Sequence, residues 1–285
     1  IVAVTKAMAS AVRINEVLDT QSTLTDEGTN AQKDKADTAR VEFRNVTFNY
    51  AGSQVPALTG ISFTAKPGET IGIIGGTGCG KSTLVNLIPR FYDVTQGEIL
   101  IDGNSVKAYP FAQLRTKIGM VPQHAVLFKG TIRDNMKWGK ADATDQQIDL
   151  ALSIAQAKDF VDSKPEKLDT MVSQGGANLS GGQRQRLTIA RALVGKPEIL
   201  VMDDSASALD FATDAALRHA IHEQTKGMTV FIVSQRATSI KQADKILVLD
   251  DGALAGVGTH KELMESCQVY REICLSQLSE QEVNR

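Results

Sequence analysis

Cysteine is scarce in this chain of 285 residues: only Cys79, Cys267 and Cys274 occur. Their spacing matches neither a metal-ligand pattern nor a disulfide framework, which excludes a zinc-stapled or disulfide-knit scaffold and suits a reducing cytosol. An excess of one charge sign is also missing, the formal net charge being −2. Without a basic stripe interleaved with aromatics, nucleic acid is not an expected partner. There is no internal repeat and no long heptad run. What the chain does have is 42% hydrophobic residues, enough for one large α/β domain with a subdomain and a real core.

Glycine is concentrated where it carries information. Gly75-Gly76-Thr77-Gly78-Cys79-Gly80-Lys81-Ser82 fits the pattern G-x-x-x-x-G-K-[ST]. It follows an apolar run, Thr70 to Ile74, and precedes a helix-like one, Thr83 to Ile88, the strand, loop and helix setting that the pattern requires. Successive backbone N–H groups and the positive end of the helix can converge there on an anion, and glycines let the main chain approach it closely. Gly75 through Thr83 are therefore candidate phosphate contacts, with Lys81 reaching the terminal phosphates of a nucleotide and the Ser82 hydroxyl ligating Mg²⁺. A second metal ligand comes from Ile199-Leu200-Val201-Met202-Asp203-Asp204, a continuous apolar run, as in a strand buried on both faces, ending in two carboxylates. Asp203 is the expected Mg²⁺ partner. Leu179-Ser180-Gly181-Gly182-Gln183 follows the loop by about a hundred residues, and together the two motifs point to an ATP-driven machine.

On these motifs the chain resembles the nucleotide-binding domain of ATP-binding cassette (ABC) transporters of the exporter type, over residues 41 to 275. The resemblance implies an α/β fold: a P-loop NTPase core of RecA-like type, an antiparallel β subdomain and an α-helical signature subdomain. It implies MgATP as ligand and a head-to-tail pair of cassettes with two nucleotides sandwiched between them. Ser180, Gly181, Gly182 and Gln183 match the signature that contacts nucleotide held by the facing domain. The physical reading agrees, since these residues open a helix-like stretch, Gln183 to Leu193, whose N-terminus attracts an anion; an ordinary capped helix start is the alternative. Tyr50 resembles the aromatic that stacks on adenine, or is simply a strand aromatic. Gln123, in Val121-Pro122-Gln123, resembles the glutamine that senses Mg²⁺ and links the site to the membrane domain. Ser207-Ala208-Leu209-Asp210 matches the loop that crosses between the two sites.

Two positions depart from the family pattern. Asp204 stands where the family usually has the glutamate that polarises the attacking water, and Gln235, in Val233-Ser234-Gln235-Arg236, stands where it usually has histidine. Aspartate is one methylene shorter, which withdraws its carboxylate by roughly 1 Å, a misplacement that can cost about a hundredfold in rate. Gln235 can donate a hydrogen bond to the γ-phosphate but cannot become cationic or shuttle a proton. Both changes weaken hydrolysis at the chain's own site, while the signature that serves the partner's nucleotide is intact. The expectation is a slow-site subunit of a heterodimeric exporter whose partner carries Glu and His at these positions and an altered signature. A milder departure is Gln174, where exporters often carry glutamate.

Three other functions share parts of this pattern. Chromosome-maintenance ATPases place long coiled coils between loop and signature, and here about a hundred ordinary residues intervene. A kinase or GTPase would lack the signature. A regulatory module that holds ATP without hydrolysing it stays open because of Asp204. Cys79, near a helix N-terminus, is either a reactive thiol or a small filler residue.

The rest of the chain divides by composition. Residues 1–20 are expected to form an amphipathic helix, with apolar Val4, Ala7, Met8, Ala11, Ile14, Val17 and Leu18 interrupted by Lys6, Arg13, Glu16 and Asp19. By resemblance it is the cytosolic end of a last transmembrane helix, so that the protein would lie at the cytoplasmic face of the cell membrane with a membrane domain on the same polypeptide; a signal peptide is disfavoured. Residues 21–40 read as a polar linker. Residues 41–278 are the expected cassette, with strand from Val41 to Tyr50, a mainly helical arm over about 124–192, and helix from His260 to Leu278. Residues 279–285 read as a polar tail.

Overall fold

A computed structural model of the chain describes residues 2–29, 39–205 and 208–277. In chain order the helices are α1 Val2–Leu18, α2 Lys81–Leu87, α3 Phe111–Thr116, α4 Ile132–Lys137, α5 Asp145–Ile154, α6 Lys158–Asp162, α7 Gly181–Leu193, α8 Phe211–Gln224, α9 Ala237–Ile240, α10 His260–Ser266 and α11 Gln268–Gln277. The strands are β1 Val41–Phe48, β2 Leu58–Ala65, β3 Thr70–Gly75, β4 Gln96–Ile101, β5 Asn104–Ser105, β6 Ile118–Val121, β7 Gly130–Thr131, β8 Met171–Val172, β9 Ile199–Asp203, β10 Thr229–Val233, β11 Lys245–Asp250 and β12 Ala253–Gly258.

Two larger sheets carry the domain. An antiparallel one has the order β2-β1-β4-β5, and a six-stranded one the order β12-β11-β3-β10-β9-β6, in which only β12 runs antiparallel to its neighbour. The central strands are apolar through their middles because both of their faces are covered. Ile71, Ile73, Val201, Phe231 and Leu247 join the core shared with Phe43, Ile61 and Leu84, from the antiparallel sheet and α2. Ile74, Leu200, Ile232 and Val248 point the other way, into a core with Leu187 of α7, Leu217 of α8 and Tyr270 of α11. Each buried side chain of this size contributes roughly 1.5–3 kcal/mol by leaving water. α4 to α7 and the short β7–β8 ladder form the arm carrying Leu179 to Gln183.

In β1 the buried residues are Val41, Phe43, Val46 and Phe48, so the alternation slips at Arg44-Asn45. A bulge absorbs the extra residue, with Asn45 at φ 47°. Gly97 of β4 lies against it: a Cβ there would sit 2.3 Å from the Asn45 carbonyl oxygen, so the bulge and the glycine require each other.

Some local expectations shift. The first strand ends at Phe48, two residues before Tyr50. The helix read over His260 to Leu278 is two helices, broken at Cys267, which is extended (φ −116°, ψ 108°) and directs its buried thiol at the Ala255 carbonyl, 3.7 Å away; Leu278 and the tail lie outside the described residues. The stretch expected as linker touches the domain before residue 30: the Asp26 carboxylate accepts from Phe111 N–H (2.9 Å), and the Thr25 carbonyl accepts from the buried Arg90 guanidinium (3.2 Å). Residues 3–18 of α1 are solvent-exposed, and among the described residues no helix is long and apolar enough to cross a membrane.

Candidate functional site

Four neighbouring parallel strands, β3, β10, β9 and β6, end on the same edge of the sheet. Register aligns them closely: Val233 pairs with both Ile73 and Asp203, and Val121 with Met202. The residues that follow each strand therefore gather at one crevice beyond the carboxyl ends, the usual ligand position in open α/β sheets. The result is a cleft of about 290 Å³ lined by Tyr50, Thr77, Gly78, Gly80, Lys81, Ser82, Thr83, Gln123, Asp203, Asp204 and Gln235, together with Ala57 and Val233.

The loop between β3 and α2 lines the cleft through Thr77, Gly78 and Gly80. Gly80 caps α2 at φ 98°, and a Cβ on it would lie 2.8 Å from the Ala57 carbonyl oxygen, so neither the dihedral nor the space admits a side chain. Gly76 and Gly78 border open space. Lys81 curls back, its ammonium donating to the carbonyls of Gly75 (2.9 Å) and Gly76 (2.6 Å). Cys79 is buried in the core beneath the loop, its sulfur 3.7 Å from that ammonium.

Ser82 donates its hydroxyl hydrogen to Asp203 Oδ1 at 3.0 Å. Two hard oxygens thus stand together at the cleft, the donor type that Mg²⁺ takes. Burial pushes the Asp203 carboxyl above its ordinary range; the Ser82 hydrogen bond and Lys81 oppose this, and the Asp204 charge adds to it. A buried carboxylate strained in this sense is one that a divalent cation would favour in its ionised form, so these residues fit the metal.

Asp204 follows β9 in the left-handed region, φ 44°, a conformation that aspartate tolerates better than most residues. Its N–H donates to Val233 O at 3.0 Å, which anchors it to β10. Burial also raises its carboxyl, opposed by Lys81, Arg236 and a hydrogen bond from Gln123. The Gln235 amide approaches Asp204 Oδ2 at 3.5 Å. At the other end, the Tyr50 hydroxyl meets Thr83 Oγ1 at 3.0 Å, and its ring stands edge-on to Phe48 (4.9 Å) and Tyr92 (5.4 Å).

The remaining candidates lie elsewhere. Ser180 to Gln183 line no part of this cleft. They open α7 with a reciprocal capping box, Ser180 Oγ accepting from Gln183 N–H and Gln183 Oε1 from Ser180 N–H. Asp210 caps α8 without a reciprocal bond, its carboxylate accepting from Thr213 N–H at 2.9 Å and Thr213 Oγ1 at 2.8 Å, which holds its carboxyl below the usual range. Ser207 lies outside the described residues.

Sequence reasoning passed over Arg236, whose charge acts on Asp204 and whose guanidinium lies over the Phe211 ring at 5.4 Å. It also passed over Tyr92, which carries no signal in the sequence because its proximity to Tyr50 arises only through the packing of β1 and the turn after α2.

The family model described as ABC transporter matches residues 58–207. An uncharacterized ABC transporter ATP-binding protein of Bacillus subtilis, YfiB, is 46% identical over 273 residues, spanning 96% of this chain and 47% of its own length. A putative multidrug export ATP-binding/permease protein of Staphylococcus aureus is 40% identical over 246 residues, spanning 86% of this chain and 43% of its own. The chain thus covers about half the length of the curated relatives it matches. Among solved structures, a bacterial Atm1-family ABC exporter with ATP bound superposes with a TM-score of 0.86 at 35% identity, over 97% of this chain and 48% of that one. Matched by the family model over more than half of its length and 46% identical to a relative across 96% of it, the chain belongs to the ABC transporter family, as an ATP-binding cassette of the exporter type.

Proposed function

We propose that this cassette binds MgATP in the cleft and closes head-to-tail on a second cassette, and that the closure drives export by a membrane domain on the same polypeptide at the cytoplasmic face of the cell membrane. Lys81 would leave the Gly75 and Gly76 carbonyls for the terminal phosphates, the loop N–H groups and Thr83 would complete the cradle, and Tyr50 would stack on the base. Ser82 and Asp203 would hold Mg²⁺, with Gln123 beside it. The metal supplies charge neutralisation at the phosphate oxygens.

Ser180, Gly181, Gly182 and Gln183 serve the nucleotide of the facing cassette in this reading, and Asp210 belongs to the loop running between the two sites. Their separation from the chain's own cleft supports a role in trans. The chain's own site is slow. The single observation that carries this is the pairing of a one-methylene-short carboxylate at 204 with an amide at 235, 3.5 Å apart. Gln235 cannot carry a proton away, and Asp204 reaches less far than glutamate toward an attacking water. Two copies of this chain would make two slow sites, so the reading favours a different partner with Glu and His at these positions.

The deciding experiment combines ATP titration with turnover by the chain alone and with its partner. Tight MgATP binding with slow turnover alone and faster turnover in the pair is expected; fast, sustained hydrolysis by the chain alone would remove the slow-site reading. Binding with no product even in a single turnover would favour the regulatory-module reading, since Asp204 then activates no water.

A further inference from the structure

α11 touches the cleft at one point. The Gln277 side-chain amide donates from Nε2 to the Gln235 carbonyl oxygen at 2.7 Å and accepts at Oε1 from the Ala237 N–H at 2.9 Å. Both partners are main-chain atoms on either side of Arg236. One can only accept and the other only donate, so a carboxamide in a single orientation is the group that satisfies both. The Ala237 N–H is one of the free donors at the start of α9, and the helix has no cap from its own preceding side chain.

The remainder of the segment is held from the core side. Ser234 N–H donates to Ile73 O at 3.1 Å, and Ser234 Oγ accepts from Arg236 N–H at 2.9 Å. Between these tethers Gln235 presents its amide to Asp204. Gln277 is itself exposed, whereas Tyr270 and Cys274 on the same helix are fully buried, and Tyr270 is hydrogen-bonded to His260 Nδ1 at 2.8 Å. A helix packed into the core through Tyr270 and Cys274 therefore carries a side chain whose described polar contacts go to the backbone of the segment carrying Gln235.

We propose that Gln277 is a positioning residue for Gln235, coupling α11 to the part of the site that faces the γ-phosphate. This rests on the ATP-site reading above. Gln277 touches neither nucleotide nor metal in this role. It fixes the peptide planes on both sides of Arg236 so that the Gln235 amide stays directed into the cleft, and displacement of α11 would release it.

The test uses Gln277→Ala and Gln277→Glu in the full protein. Gln277→Ala is expected to slow single-turnover hydrolysis at this site by about threefold to tenfold, the factor matching one hydrogen bond of ordinary net strength. ATP affinity is expected to stay within about twofold, and amide exchange at Ala237 to rise. Gln277→Glu keeps the acceptor for Ala237 and loses the donor to Gln235, so Ala237 stays protected while hydrolysis still falls; this separates helix capping from positioning. In a Gln235→Ala background, Gln277→Ala is expected to add nothing. Unchanged hydrolysis in both variants, or an equal further loss without Gln235, would overturn the proposal. If the wild-type site turns over no ATP, the readout becomes MgATP-dependent protection of residues 235–237 from exchange, and protection undiminished in Gln277→Ala would overturn it. Failure of the wild-type chain to bind ATP refutes the site reading instead.

Discussion

Replacing Asp204 with glutamate adds one methylene to a carboxylate whose backbone is tied to β10 by the bond from Asp204 N to Val233 O, 3.0 Å long. The oxygen pair advances by roughly 1 Å, the scale on which a misplaced catalytic group costs about a hundredfold. Because Gln235 is left in place, unable to take a proton, a gain of about tenfold is the expected share. The left-handed backbone at 204, φ 44°, suits aspartate better than glutamate, so the variant is expected to be slightly less stable, by up to about 1 kcal/mol. The assay is single-turnover hydrolysis with the cassette pair in excess over labelled ATP, beside a titration of ATP affinity, which the change should leave within about twofold. An unchanged hydrolysis rate at unchanged affinity would refute the idea that the reach of this carboxylate limits the site.

Three further outcomes follow from the same geometry. Burial raises the Asp204 carboxyl and the group acts on water only when ionised, so hydrolysis at this site should decline with falling pH from a higher pH than an ordinary aspartate would give; Asp204→Asn should abolish that limb, and a rate–pH profile shared by both proteins would contradict it. Ser180→Ala removes the hydroxyl that accepts from Gln183 N–H, costing about 1 kcal/mol in the cap; it should lower ATPase of the pair without weakening ATP binding by this chain, and unaltered pair ATPase would contradict the shared-site geometry. Gly80→Ala drives a Cβ to within 2.8 Å of the Ala57 carbonyl oxygen at φ 98°, a strain of about 1–3 kcal/mol, so the denaturation midpoint and ATP affinity should both fall; wild-type values for both would show that the loop relaxes freely.

Legibility in the sequence tracks the range of the physics involved. The glycine-rich loop after β3 could be read because glycine spacing dictates backbone dihedrals within eight residues, and the helix start near Ser180 because a short polar side chain there can accept from a backbone donor three residues on, although the helix begins at Gly181, two residues before the expected Gln183. The two-faced burial of β9 was visible in five consecutive apolar and acidic positions, all of them buried. The bulge at Asn45 was hidden, because it depends on Gly97 lying across from it. The break at Cys267 was hidden too, because both flanking stretches favour helix and only the packing of a buried thiol under β12 separates them.

The sequence by itself determined the chemistry available: a loop able to cradle phosphate, a hydroxyl and a carboxylate suited to Mg²⁺, a signature at a helix start, and a shortened acid with an amide where a longer acid and an imidazole are usual. Tertiary structure alone decided which of these groups meet. Lys81, Gln123, Asp203, Asp204 and Gln235 share one cleft because parallel pairing brings the ends of four strands into register, and Ser180 and Asp210 do not join them because α7 and α8 begin elsewhere. Dihedral preference and capping act across a few neighbouring residues, whereas strand order follows from burying two apolar faces at once, a property of the whole chain that no local stretch contains.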